Sequence, residues 1–143
     1  MLDRERVLAK LDELEGYLSE VHQVAPATFE AYKTIEKRRS CERLLQLAIE
    51  CMIDTSALVV TGLRLGLPAE EDDLFEKLED ASIISASLGG TLRSMRGMRN
   101  VLVHEYGRVD DRLIFDAISH RLGDFETFKK AILRALPAAD AED

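Results

Sequence analysis

Apolar residues recur along most of this chain at three- and four-residue steps, the period of a helix with one buried face. Leu2, Val7, Leu8, Leu11, Leu14, Leu18 and Val21 form the first stripe. They predict a helix from about Asp3 to His22, with Asp3 as its N-cap. Pro26 follows, and Thr28 is placed to cap a short helix through Ile35 with Phe29 and Tyr32 as core anchors. A long helix is expected from about Glu36 to Leu65. Leu44, Leu47, Cys51, Leu58 and Leu63 line one side of it, and Leu45, Ile49, Met52, Val59 and Val60 another. A helix apolar nearly all round is buried on several sides. In a chain this small, that predicts a bundle centre plus a subunit interface. Gly62, Gly66 and Pro68 mark its end.

Pro68 to Asp73 reads as a loop and an acidic helix start, favourable to the helix dipole. Leu74, Phe75, Leu78 and Ala81 predict a short helix. Ser85 is placed to cap the next, which carries Leu88, Leu92, Met95 and Met98. Gly89-Gly90 weakens that helix by about 1 kcal/mol per Gly relative to Ala, so a bend or a close helix contact is expected there. Gly97 likewise offers room for two backbones to approach. Gly107 is expected to break the helix after Tyr106, and Asp110 or Asp111 to restart it. A last stripe runs through Leu113, Ile114, Ala117, Ile118, Leu122, Phe125, Phe128, Ile132 and Leu136. No stretch alternates like a strand and no segment repeats. The chain reads as all-α: an antiparallel bundle of four or five helices in a single domain of residues 1–136, with a frayed acidic tail over 137–143.

Composition changes this picture little. At 143 residues the chain is long enough for one domain with its own core. No apolar run approaches the roughly 18 residues of a membrane span. The opening Met1-Leu2-Asp3-Arg4-Glu5-Arg6 has no apolar segment after its charges, unlike a secretory signal, so a cytoplasmic location is the default expectation. Cys41 and Cys51 would lie about 15 Å apart on one helix. Bridged Cα atoms lie within roughly 7 Å, so two small buried side chains are expected, not a disulfide. His22 and His120 read as surface residues, and no His, Cys, Asp and Glu cluster has metal-site spacing.

Charge matters more. The formal net charge is −8, whereas a protein that grips RNA usually shows a positive footprint. Either the cations gather in one cleft, or RNA is held briefly, or RNA is not the ligand. Glu70, Glu71, Asp72 and Asp73, with Asp140, Glu142 and Asp143 of the tail, supply much of the acidity and are expected to lie away from any cleft. Such asymmetry would also serve docking to a basic partner.

The candidate chemistry sits in Arg99-Asn100-Val101-Leu102-Val103-His104-Glu105-Tyr106. Arg is a constant cation and a planar fork for phosphate. His gives and takes protons near neutral pH. Together they are the minimum set for cleaving a phosphodiester without a metal. Residues five apart on a helix are separated by roughly 140°, so Arg99 and His104 would not share a face, though Asn100 and His104 would. Either the helix breaks within the stretch, or a symmetric dimer sets two copies against each other. The dimer also uses the spare apolar face of the long helix, and self-complementary dimers are the commonest oligomers.

The pattern Arg-x-x-x-x-His-x-Tyr, with Asn directly after the Arg, resembles the signature of HEPN-domain ribonucleases. It is most similar to the HepT-type toxins of bacterial and archaeal toxin–antitoxin pairs, the type VII systems. Glu42-Arg43-Leu44-Leu45-Gln46-Leu47-Ala48-Ile49-Glu50 resembles that family's long second helix, and the likeness runs from Leu2 to Leu136. The resemblance implies a HEPN-like helical fold and a dimer cleft holding two copies of the motif. It implies a metal-independent RNA endonuclease with no cofactor. It also implies a partner, a small nucleotidyltransferase antitoxin of the MntA type, which silences the nuclease by adding AMP to the motif tyrosine. That role carries to Tyr106. In such a cleft His104 would act as general base on the RNA 2′-hydroxyl or as acid toward the leaving 5′-oxygen. Arg99 would stabilise the phosphorane-like transition state, and Asn100 would orient the Arg or bind a phosphate oxygen.

Each assignment has a plainer rival. Arg99 pairs with Glu105 or another acid, His104 is a hydrogen-bonded core histidine, and Tyr106 a core tyrosine. Glu50 and Asp54 lie four apart on one helix face, either solvated, paired with Arg, or reaching the cleft to hold Arg99 in place. Lys37, Arg38, Arg39, Arg93 and Arg96 read as solvated, and are also the best candidates for RNA-backbone contact. At the level of function, the rivals are a non-catalytic helical module that holds a nucleotide or substrate for a partner nucleotidyltransferase, and a purely structural dimeric adaptor.

Overall fold

A computed structural model describes residues 2–137. The acidic tail expected over 137–143 lies, apart from Pro137, outside the described residues. Seven α-helices and one 3-10 turn make up the described chain: α1 Arg4–Val24, α2 Phe29–Tyr32, α3 Ile35–Gly62, α4 Glu71–Asp80, α5 Ala86–His104, the turn Tyr106–Arg108, α6 Asp111–His120 and α7 Gly123–Ala135. No strand occurs among the described residues.

The caps explain most boundaries. Asp3, Thr28, Ser85 and Asp110 each accept a hydrogen bond from a first-turn backbone N–H, at 3.1, 3.2, 3.0 and 3.0 Å. Thr34 does the same for α3, which is why the short helix expected through Ile35 is a single turn ending at Tyr32. The last apolar stripe is not one helix but two. Arg121 and Leu122 interrupt it, and Leu122 keeps right-handed helical dihedrals, so the stripe stays in phase across the break.

α3 is the axis. It contacts α1 along most of its length and also touches α2, α4, α5, α6 and α7. Leu45, Ile49, Met52, Val59 and Val60 are fully buried, while Leu44, Leu58 and Leu63 are only partly covered. Its buried Thr55 and Ser56 satisfy their hydroxyls on the carbonyls of Cys51 and Met52 one turn back, at 2.7 and 2.9 Å. One stretch of α3 reaches a mean hydropathy of 1.5, enough by composition to cross a membrane, but 56% of it is buried inside the bundle. It is a core helix. Cys41 and Cys51 are both buried and free.

Two packing details position the site. Phe29 and Tyr32 of α2 meet Phe115 of α6, with ring centroids 5.7 Å apart in both pairs, which fixes α6 against the start of α3. Gly89 lets α5 approach α4: a Cβ there would overlap the Glu79 carboxylate, which instead pairs with Arg93 at 2.6 Å. The expected close contact at Gly89 is therefore present. Gly90 and Gly97 face open space within the chain, so Gly97 brings no backbone close.

Candidate active site

α5 is unbroken from Ala86 to His104 and ends at Glu105, where the backbone leaves the helix at φ −133 and ψ 44. The break thus comes one residue before Tyr106, not at Gly107 as the glycine alone implied. Arg99, Asn100 and His104 share one regular helix, and Tyr106 begins the turn beyond it. No kink brings Arg99 and His104 together, so the roughly 140° between them stands.

Arg99 faces inward, its side chain 13% exposed, toward α3 and α4. Its Nη1 lies 3.6 Å from Glu50 Oε2, its Nη2 pairs with Glu71 Oε1, and its Nε donates to Asn100 Oδ1 at 3.0 Å. Asn100 therefore orients the guanidinium. Glu50 fulfils the option of holding Arg99, whereas Asp54 pairs with Lys10 at 3.4 Å. Glu105 is not a partner of Arg99; it pairs with Arg108 at 3.2 Å.

The partner that sequence reasoning missed is Glu71. The acidic run at the start of α4 was expected away from any cleft, yet two of its members reach α5. Glu71 Oε1 accepts from Arg96 Nε at 3.1 Å as well as pairing with Arg99, and Asp72 Oδ2 lies 3.3 Å from Arg96 Nη1. Asp73 serves the helix start itself, accepting from the backbone N–H of Ala69 and Glu70 at 2.8 and 3.0 Å. Those bonds hold its carboxyl below the usual aspartate range. Acids at a helix N-terminus have a local explanation in the dipole, so nothing in the sequence separates the capping one from those that reach across.

His104 closes α5 on its exposed side, and among the described residues it makes no hydrogen bond or ion pair. It is not a core histidine. Tyr106 is 39% exposed. Its Oη donates to Glu42 Oε1 at 2.7 Å, and the Arg39 guanidinium stacks 4.7 Å from the ring centroid. Burial first, then the hydrogen bond and charge of Glu42, raise the phenol above its ordinary pKa. Glu42 is only 5% exposed. The signal for it was legible: an acid on the buried side of α3, beside Cys41 and before Leu45, is rarely left without a partner.

The cations divide sharply. Lys37 caps the end of α1, its Nζ donating to the Val24 carbonyl at 2.9 Å. Arg93 and Arg96 are held by acids of α4, and Arg38 lies 3.8 Å from Asp111. Arg39 and Arg108, with side chains 57% and 80% exposed, remain beside Tyr106. A groove of about 360 Å³ opens nearby, lined by Ser94, Met98, Val101, Val109, Leu113 and Ile114 among others. It is mainly apolar and holds neither Arg99 nor His104. Among the described residues, no group of three or more His, Cys, Asp and Glu is placed to hold a metal ion.

Comparison with known proteins places this geometry. The family described as ribonuclease HepT-like matches residues 11–132. The mRNA nuclease HepT of Shewanella oneidensis is 32% identical over 84 residues, 59% of this chain and 63% of that protein, so the match spans just under two thirds of its length. The tRNA nuclease HepT of Aphanizomenon flos-aquae is 27% identical over 135 residues, 94% of this chain and 92% of that protein. Among solved structures, the tri-AMPylated Shewanella oneidensis HEPN toxin in complex with MNT antitoxin superposes with a TM-score of 0.84 at 25% identity, covering 91% of this chain and 97% of that one.

Proposed function

This chain belongs to the HepT-like ribonuclease family, and we propose that it is the toxin of a type VII toxin–antitoxin pair, a metal-independent RNA endonuclease. RNA carries its own nucleophile. His104 takes the proton of the 2′-hydroxyl, or returns one to the leaving 5′-oxygen. The 2′-oxygen bonds to phosphorus, the bond to the 5′-oxygen breaks, and a 2′,3′-cyclic phosphate and a 5′-hydroxyl result. Arg99 carries the charge that develops on the phosphorane-like transition state. Its contacts to Glu50, Glu71 and Asn100 leave guanidinium hydrogens free for one phosphate oxygen.

The observation that carries this reading is that one unbroken helix carries both a fixed Arg99 and, five residues on at its exposed end, an unengaged His104. Because the two diverge on that helix, one phosphate is reached by two copies of the motif across a homodimer cleft. The partner is an MntA-like nucleotidyltransferase antitoxin, and Tyr106 is the residue that accepts AMP from it. An added phosphate there puts negative charge beside the motif and blocks RNA. In support, a solved relative is described as an AMPylated HEPN toxin bound to its MNT antitoxin.

Growth on expression tests the nuclease. Wild type is expected to arrest growth, and His104→Ala and Arg99→Ala to restore it. Toxicity that survives both substitutions removes the assignment. A second reading, a non-catalytic module serving a nucleotidyltransferase, is favoured by one fact: Glu50 and Glu71 already meet the charge of Arg99. It predicts that no variant, nor wild type, cleaves RNA, while Tyr106 is still modified.

A further inference from the structure

The turn after α5 is latched to the start of α3 by a single side-chain bond, Tyr106 Oη to Glu42 Oε1 at 2.7 Å. That is the length of a well-formed O–H···O bond. Glu42 is almost fully buried, and its second oxygen, Oε2, has no hydrogen-bond partner among the described residues. The phenol ring, by contrast, is open to a partner along its exposed side. Resting on the reading of Tyr106 as the AMP acceptor, we propose that Glu42 is the general base that removes the phenolic proton during nucleotidyl transfer. The toxin then supplies half of the chemistry by which it is silenced.

A phenol has an ordinary pKa of about 10. Burial and the neighbouring carboxylate push that of Tyr106 higher, so a ready-made phenolate is not the nucleophile at neutral pH. The proton must leave as the new bond forms, to an acceptor within roughly 2.6–3.2 Å. Glu42 is the acceptor found at that distance among the described residues. The step balances as follows. An Oη lone pair bonds to the α-phosphorus of a nucleoside triphosphate presented by the partner transferase. The bond from that phosphorus to its bridging oxygen breaks, pyrophosphate leaves with the electron pair, and the Oη proton passes to Glu42 Oε1. Arg39 stands beside both groups, its guanidinium 4.7 Å from the ring centroid and its Nη1 4.0 Å from Glu42 Oε1. It would face the phosphodiester product.

Glu42→Gln separates chemistry from latching, because an amide oxygen still accepts the phenolic hydrogen bond but takes no proton at neutral pH. The purified chain is incubated with the nucleotidyltransferase partner and magnesium-ATP, and intact mass is followed against time. Wild type should gain AMP at Tyr106, with Tyr106→Phe gaining none. Glu42→Gln, folded by circular dichroism, should gain it at least about 100-fold more slowly. Modification of Glu42→Gln at the wild-type rate overturns the base while leaving Tyr106 as acceptor. Wild type that gains no mass, or a Tyr106→Phe that still does, removes the acceptor and the base together. Should Glu42→Gln not fold, Glu42→Asp decides. Its carboxylate is set back by one methylene, so transfer must persist but slow at least about 10-fold, and an undiminished rate overturns the proposal.

Discussion

Arg99 shows how a cation is kept inside a protein of net charge −8. A guanidinium facing the interior needs acids around it, and a fully solvated one would be too mobile to meet a phosphate in fixed geometry. Glu50 supplies one acid from α3 and Glu71 another from α4, while Asn100 holds the Nε edge. Glu71 also holds Arg96, so its loss loosens two cations at once. Glu71→Ala is expected to cost about 1 kcal/mol after solvent screening of a carboxylate 38% exposed. A fall of about 3 °C in Tm by calorimetry would show it, and an unchanged Tm would mean the cage is ornamental. Sequence spacing revealed part of this cage. Glu50 was a candidate by its position one turn from Asp54, but Glu71 lies 28 residues from Arg99, beyond any periodicity. Glu42 was visible only as an acid on an apolar stripe, with no hint that Tyr106, 64 residues on, would claim it.

At the scale of elements, helix starts were the most legible feature, since Asp3, Thr28, Ser85 and Asp110 each cap by local chemistry. Helix ends were less so. α5 stops at His104 because the turn that follows is latched to α3 through Tyr106, a tertiary contact, and not because of Gly107. The paired glycines of α5 give a test with opposite expectations. Gly90→Ala meets no atom within 4 Å and should stabilise by about 1 kcal/mol, the ordinary helix preference for Ala. Gly89→Ala should gain less or lose, because the Glu79 carboxylate must leave its seat and its pair with Arg93. Equal gains in thermal melts would remove the close contact from the account. The start of α4 carries a pH signature. The backbone bonds to Asp73 depress its folded pKa below the unfolded value, so the cap's contribution is full above the ordinary aspartate range and is lost as pH falls through the folded pKa. Asp73→Ala should therefore melt lower than wild type at pH 7, and the gap should close in acid.

At the scale of the whole molecule, charge is segregated rather than uniformly negative. Glu71, Asp72 and Glu79 of α4 engage Arg93, Arg96 and Arg99, while Arg39 stacks on the Tyr106 ring and Arg108 lies in the same turn as Tyr106. Leu113 is 58% exposed at the apolar groove between α5 and α6, and Val103 of α5 is 42% exposed. A homodimer that sets two motifs face to face would cover such residues. Light scattering should report twice the chain mass, and Leu113→Asp should yield a monomer that no longer cleaves RNA. A fully active monomer would contradict the shared cleft. The bundle and its core were readable from periodicity, because a single hydrophobic cluster needs only the right faces. The subunit interface expected from the all-round apolar character of the long helix has its candidates in Leu44, Leu58 and Leu63, which stay partly covered within one chain.

The central claim is tested most directly by incubating the purified chain with RNA in the presence of a metal chelator and analysing the new 3′ ends. Wild type should leave 2′,3′-cyclic phosphates, and His104→Ala should form them at least about 100-fold more slowly. RNA left intact by wild type, or cut equally well by His104→Ala, would contradict it.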